Sequence, residues 1–281
     1  MTAELTSTFQ SSVDAGTARL ERHWPGLLAT GTVGGIDVGL GVFGLFVVQH
    51  ATGNGMLGSL AFTIGFIALA LANSELFTEN FLVPVAAVAA RRSTPLALLR
   101  LWTGTAVMNL VGGWVLMGVI MASSPELRAT AVEIGNHHIE VGIGFRSFAS
   151  AVLGGTIITL MTWMERGTDS MPAKLVAAVA AGFLLAAGKL HHVIVISLEA
   201  FAGLQAGAPF GYADWLGMAG WAALGNAVGG LGLVTMLRLV QVGKDVLDEE
   251  RRRPESQTRG EGNQRSSERG KEAAEAEATP R

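Results

Sequence analysis

Two long apolar stretches of this chain are each interrupted by a short polar segment, and that pairing restricts the possible folds more than any other feature. Residues 56–90 are broken by N-S-E-L-F-T-E-N at 73–80, and residues 172–204 are broken by K-L-H-H at 189–192. Apolar runs of about 20 residues match the thickness of a bilayer. Within hydrocarbon an unpaired backbone group costs several kcal/mol, so each break must be buried in protein or line a polar cavity.

Four further apolar segments surround the broken ones, at about 25–50, 96–123, 141–164 and 215–240. Six such segments predict an all-α polytopic membrane protein whose second and fifth spans are broken. The 281 residues are 49% hydrophobic and 15% charged, against about 25% charge in a soluble domain. The runs do not alternate apolar with polar residues, which excludes a membrane β-barrel. Glycine is frequent, with 37 residues, as where membrane helices pack backbone to backbone.

A net charge of −3 gives no basis for nucleic-acid binding. The absence of cysteine removes disulfides, thiolate catalysis and thiolate metal sites. No phosphate-binding loop, dinucleotide fingerprint or Ser-His-Asp order is present, so the expectation is a protein that is not an enzyme and that uses no cofactor or metal. The first 24 residues are polar and lack the pattern of a cleavable signal. The expected organisation is a cytoplasmic segment at 1–24, a channel domain at 25–242 and a disordered, charged cytoplasmic tail at 243–281.

Basic residues set the expected orientation. Arg19 and Arg22 precede the first span, Arg91, Arg92 and Arg100 follow the second, and Arg166 and Lys174 follow the fourth. Arg238, Lys244 and Arg251 to Arg253 follow the sixth, whereas the opposite loops contain only Arg128. The positive-inside rule then places both termini in the cytoplasm. Trp24, Trp102, Trp163 and Trp215 fall near the predicted interfaces.

The third span contains N-L-V-G-G from Asn109 and the sixth contains N-A-V-G-G from Asn226, 117 positions later (226 − 109). The same displacement carries Glu75 to His192, from one break into the other. The expectation is two three-helix repeats, about 25–123 and 141–242, inserted in opposite senses, with a transport site where their broken helices meet.

In the first break, Thr78 can donate a hydrogen bond to an anion, and Leu76 and Phe77 can form an apolar constriction beside it. Glu75 and Glu79 repel anions and, with Asn80, are expected to brace the loop by capping amides or pairing with cations. In the second break, His191 and His192 are adjacent and must point different ways. Either could exchange a proton with a weak acid, and either could be a hydrogen-bonded strut. Lys189 could meet a carboxylate, the membrane surface or an anion. His137 and His138 are expected in a solvated loop.

Together these residues resemble the formate/nitrite transporter family. E-L-F-T (75–78) resembles its first broken-helix loop, G-K-L-H-H-V-I-V (188–195) its second, and N-L-V-G-G its third-helix motif. The resemblance covers about 25–242. It implies an aquaporin-like fold, a homopentamer in a bacterial-type inner membrane with one pore per protomer, and passage of formate, nitrite or hydrosulfide. It places the central pore histidine at His192, with His191 as competitor, and Thr78 facing it. It assigns Leu76 and Phe77 to one constriction and Phe62, with Leu185, to the other. The family's lysine before the fourth helix has no counterpart in N-H-H-I-E-V (136–141), and its fourth-helix asparagine is replaced near Gly155. The loop also reads T-E-N after L-F, where many members carry a small residue following the threonine. These departures keep open a channel for small neutral solutes and a membrane scaffold with a vestigial pore.

Overall fold

The structure, a computed structural model, describes residues 3–253. Among them, helices α2 (Trp24–Thr52), α3 (Gly55–Ala72), α5 (Pro95–Ser123) and α7 (Phe145–Arg166) are long and apolar enough to cross a membrane. A fifth crossing runs Tyr212–Val242 as α10 (Tyr212–Ala227), a π-helical stretch (Val228–Thr235) and α11 (Met236–Val242). Two further pairs of segments are interrupted. Helix α3 is followed by a 3-10 turn (Phe77–Phe81) and α4 (Val83–Ala89), and α8 (Met171–Ala187) is followed by α9 (Val193–Ala206).

Each interruption has a local cause. Helix α3 stops at Asn73 in the left-handed region (φ 52°), and the chain leaves α8 through Lys189 at φ 48°. Left-handed backbone ends a right-handed helix, and Asn tolerates it better than a long side chain does. Pro84 is the second residue of α4, in the first turn, where its missing N–H leaves no unpaired donor.

The terminal helices lie at one end of the bundle. Helix α1 (Ala3–Glu21) packs on α4, burying Phe9 and Val13 against Leu82, Val83 and Ala86. Residues Lys244–Arg252, placed by sequence in the tail, form helix α12, docked where Arg92 donates to the Glu250 and Arg253 carbonyls. Residues 254–281, the rest of the expected disordered tail, lie outside the described residues. At the other end, 128–141 form helix α6 (Arg128–Val141) rather than a solvated loop. It packs along α9, with Gly135 against the Glu199 carbonyl. His138 is buried as a result.

Candidate pore site at the two helix breaks

Asn109 and Asn226 hold the two breaks in the same way. Asn109 Oδ1 accepts from the Phe77 N–H (2.8 Å), and its Nδ2 donates to the Glu75 and Gly31 carbonyls. Asn226 Oδ1 accepts from the Val193 N–H (2.8 Å), and its Nδ2 donates to the His191 and Ala151 carbonyls. Each asparagine thus pairs backbone groups that a broken helix leaves without partners. The close approach needs glycine on the facing helix: a Cβ on Gly35 would lie 2.1 Å from the Asn109 carbonyl oxygen, and one on Gly155 2.1 Å from that of Asn226. The register differs slightly from the sequence expectation. The clamps relate Glu75 to His191, so Leu76, not Glu75, corresponds to His192.

Between the breaks, Thr78 Oγ1 lies 2.6 Å from His192 Nε2, and both residues are fully buried. His192 also caps α9, its Nδ1 accepting from the Val195 N–H at 3.4 Å. In the neutral ring that leaves the proton on Nε2, donated to Thr78, and frees the Thr78 hydroxyl hydrogen for a third partner. Leu76 is fully buried beside Thr78, while Phe77 is half-buried with its ring edge-on to Phe81 (5.1 Å). Phe62 and Leu185 are both buried in the central apolar cluster, Phe62 stacking at an angle on Phe66.

Glu75 and Glu79 meet cations from the N-terminal segment. Glu75 Oε1 is 2.6 Å from Arg22 Nη1 and 3.3 Å from Arg19 Nε, and Glu79 Oε2 is 3.7 Å from Arg19 Nη2. Arg19 also donates to Asn80 Oδ1 (2.8 Å), and Trp102 donates to the Asn80 carbonyl. Arg19 and Arg22, read from the sequence as orientation signals, therefore also pair with the first break, a role their position just ahead of the first span concealed. An acid that sequence reasoning passed over is Asp37, buried within α2 and accepting from Ser74 at 2.5 Å.

His191 turns away from Thr78. Its backbone N–H donates to Ser150 Oγ (3.1 Å), and its Nδ1 lies 3.2 Å from the same oxygen. Its ring stands edge-on to His138 (5.0 Å between centroids), and His138 Nε2 is 2.7 Å from Glu199 Oε2. His138 and Glu199 of this group line a cavity of about 700 Å³ between α2, α3, α6, α8 and α9, together with Glu133, His137, Glu140, Leu185 and Lys189 among others. His137 in α6 is pushed below its ordinary value by burial, reinforced by Lys189 and His138. The visible signal for this group was Glu199, a lone carboxylate in the apolar run 193–206.

A model of the formate/nitrite transporter family matches residues 6–240. The chain belongs to that family. It is 29% identical over 194 residues to "Inner membrane protein YfdC" of Escherichia coli (strain K12), a match covering 66% of this chain. That match spans 61% of the relative, less than two thirds of its length. "Formate channel BtFdhC" of Bacillus thuringiensis is 25% identical over 244 residues, covering 79% of this chain and 89% of the relative. A solved structure titled "Pentameric formate channel with formate bound" superposes with a TM-score of 0.67 at 21% identity, covering 79% of this chain and 98% of that one. Membership makes this formate/nitrite transporter homologue an integral membrane protein with the family's helical fold.

Proposed function

We propose that this chain is a channel for small monovalent weak-acid anions of the formate or nitrite type, passive or proton-coupled, with His192 as its central pore histidine. The observation that carries the reading is the Thr78–His192 pair, which joins the two breaks at a fully buried point. A bare anion at that depth is costly to desolvate. The Thr78 hydroxyl hydrogen and the N-terminus of α9 offer positive partners there, and proton sharing with His192 lowers the charge. Leu76 and Phe77 on one side, and Phe62 and Leu185 on the other, form the apolar constrictions.

The two halves are read as an inverted repeat. The left-handed residues Asn73 and Lys189 and the clamped residues Glu75 and His191 are both 116 positions apart (189 − 73, 191 − 75). Three crossings per half invert the second half relative to the first. Both termini are assigned to the cytoplasm, in accord with the basic residues and with α1 and α12 lying at one end. The pentameric formate channel of the same fold supports a homopentamer with one pore per protomer.

A second reading, passage of small neutral solutes, is favoured by the carboxylates Glu133, Glu140 and Glu199, which line the cavity beside α6 and α9 together with Lys189. Purified protein in liposomes, tested with formate, nitrite, urea and glycerol, decides between them. The proposal expects formate and nitrite flux above that of protein-free vesicles, with urea and glycerol at background. Uptake confined to the neutral solutes would replace it with the second reading, and no flux of any solute would favour a scaffold.

A further inference from the structure

Helix α12 and the half-helix α4 cap each other. Arg251 Nε donates to the carbonyl of Ala89, the last residue of α4 (3.1 Å). In return Arg92, three residues beyond α4, donates to the carbonyls of Glu250 and Arg253 at the end of α12 (2.9 and 2.8 Å). Carbonyls at a helix C-terminus have no partner within the helix, and cations are favourable there. The Glu250 carboxylate is buried with a cation near each oxygen: Oε2 is 3.4 Å from Arg92 Nη2 and Oε1 is 3.6 Å from Arg253 Nη1. One apolar cluster joins Phe9 and Val13 of α1, Val83 and Ala86 of α4, Trp163 of α7 and Val246 of α12.

Two properties make this contact a switch. A helix of nine residues does not hold its shape alone in water, so α12 folds and docks as one event. A buried ion pair adds little stability of its own, yet removing one partner strands the other charge, so docking is all or none. The contact also reaches the pore. Helix α4 follows the Phe77–Phe81 turn after one residue, Leu82, whose N–H donates to the Glu79 carbonyl (3.4 Å). Thr78, in that turn, and His192 are 0% exposed, so with α12 docked no water reaches the pair.

We infer that α12 is an autoinhibitory strap on the channel proposed above. Docked, it pins α4 and, through α4, the turn that carries Thr78, and the path stays closed. Released, it unfolds, uncaps the far end of α4 and lets the turn move away from His192. The turn's ties to the crossings beside it are slighter. Trp102 and Thr235 give the Asn80 and Phe81 carbonyls one hydrogen bond each, whereas α12 supplies the ion cluster together with apolar contact.

The test uses the full-length chain, which contains no cysteine, so introduced thiols react alone. Gln10 of α1 and Glu249 of α12 line one cleft, and Gln10→Cys with Glu249→Cys allows a short cleavable cross-linker to hold the strap down. In liposomes, formate flux is expected to fall about fivefold on bridging and to recover on cleavage in the same folded molecules. Arg92→Gln removes the reciprocal cap and is expected to raise flux about fivefold. The bridged pair carries the test where Arg92→Gln fails to assemble. Maleimide labelling of Ala86→Cys, buried in α4, gives a readout independent of flux and is expected to be faster with Arg92→Gln. Flux indifferent to bridging, or labelling equally slow in both backgrounds, would overturn the strap and leave the channel reading intact. Formate flux absent from wild type and Arg92→Gln alike, with the labelling difference present, would overturn the channel reading and the control assigned to α12 with it.

Discussion

Asn226 holds the second helix break as Asn109 holds the first: one side-chain oxygen accepts a helix-starting N–H, and one amide nitrogen bridges two carbonyls. Both side chains are fully buried. The breaks that carry Thr78 and His192 are therefore fixed from helices α5 and α10, not by their own sequences alone.

Asn109→Ala and Asn226→Ala should each leave a buried N–H and two carbonyls short of a partner. At about 1–3 kcal/mol per unmet group, each variant should lose several kcal/mol and unfold at distinctly lower temperature in detergent. Thermal-shift and size-exclusion profiles check this. A variant as stable as wild type would show that the clamp contributes little.

The pairing of Arg19 and Arg22 with Glu75 should be energetically coupled, because the carboxylate is buried while the guanidiniums are partly exposed. Removing both arginines strands a buried charge and should cost more than Glu75→Gln, which removes the charge itself. A double-mutant cycle on thermal stability should give a coupling of about 0.5–3 kcal/mol. Additive effects would mean that the ion pairs stabilise nothing.

His137 gives a pH prediction. Burial holds it below the ordinary histidine value, so the unfolded chain binds its proton at a higher pH than the folded chain. Its contribution is present above about pH 6.5 and is lost as pH falls towards the depressed folded value. His137→Gln should lose less stability than wild type between about pH 7 and pH 5. Equal losses on thermal inactivation would contradict it.

The legible part of this fold was the part written in hydrophobicity. The spans and both interruptions follow from uncharged runs, and the N-x-V-G-G motifs mark the two clamps before their hydrogen bonds are known. The clamp register was not legible, since Asn73 and Lys189 are 116 positions apart (189 − 73) but the asparagines 117 (226 − 109). One residue of slack in the connecting chain leaves no trace in a sequence pattern. His138 read as a solvated loop residue because α6 has the composition of a surface helix, and only its packing on α9 buries it beside Glu199. Arg19 and Arg22 looked like orientation signals because their reach into the first break depends on how α1 docks on α4.

The account's central claim is most directly tested by formate flux through wild-type and His192→Phe protein in liposomes across pH, with the oligomeric state of both checked on the same samples. The account predicts that the substitution lowers flux by at least about tenfold and abolishes its pH dependence. Equal flux with the same pH profile in an intact His192→Phe assembly would contradict it.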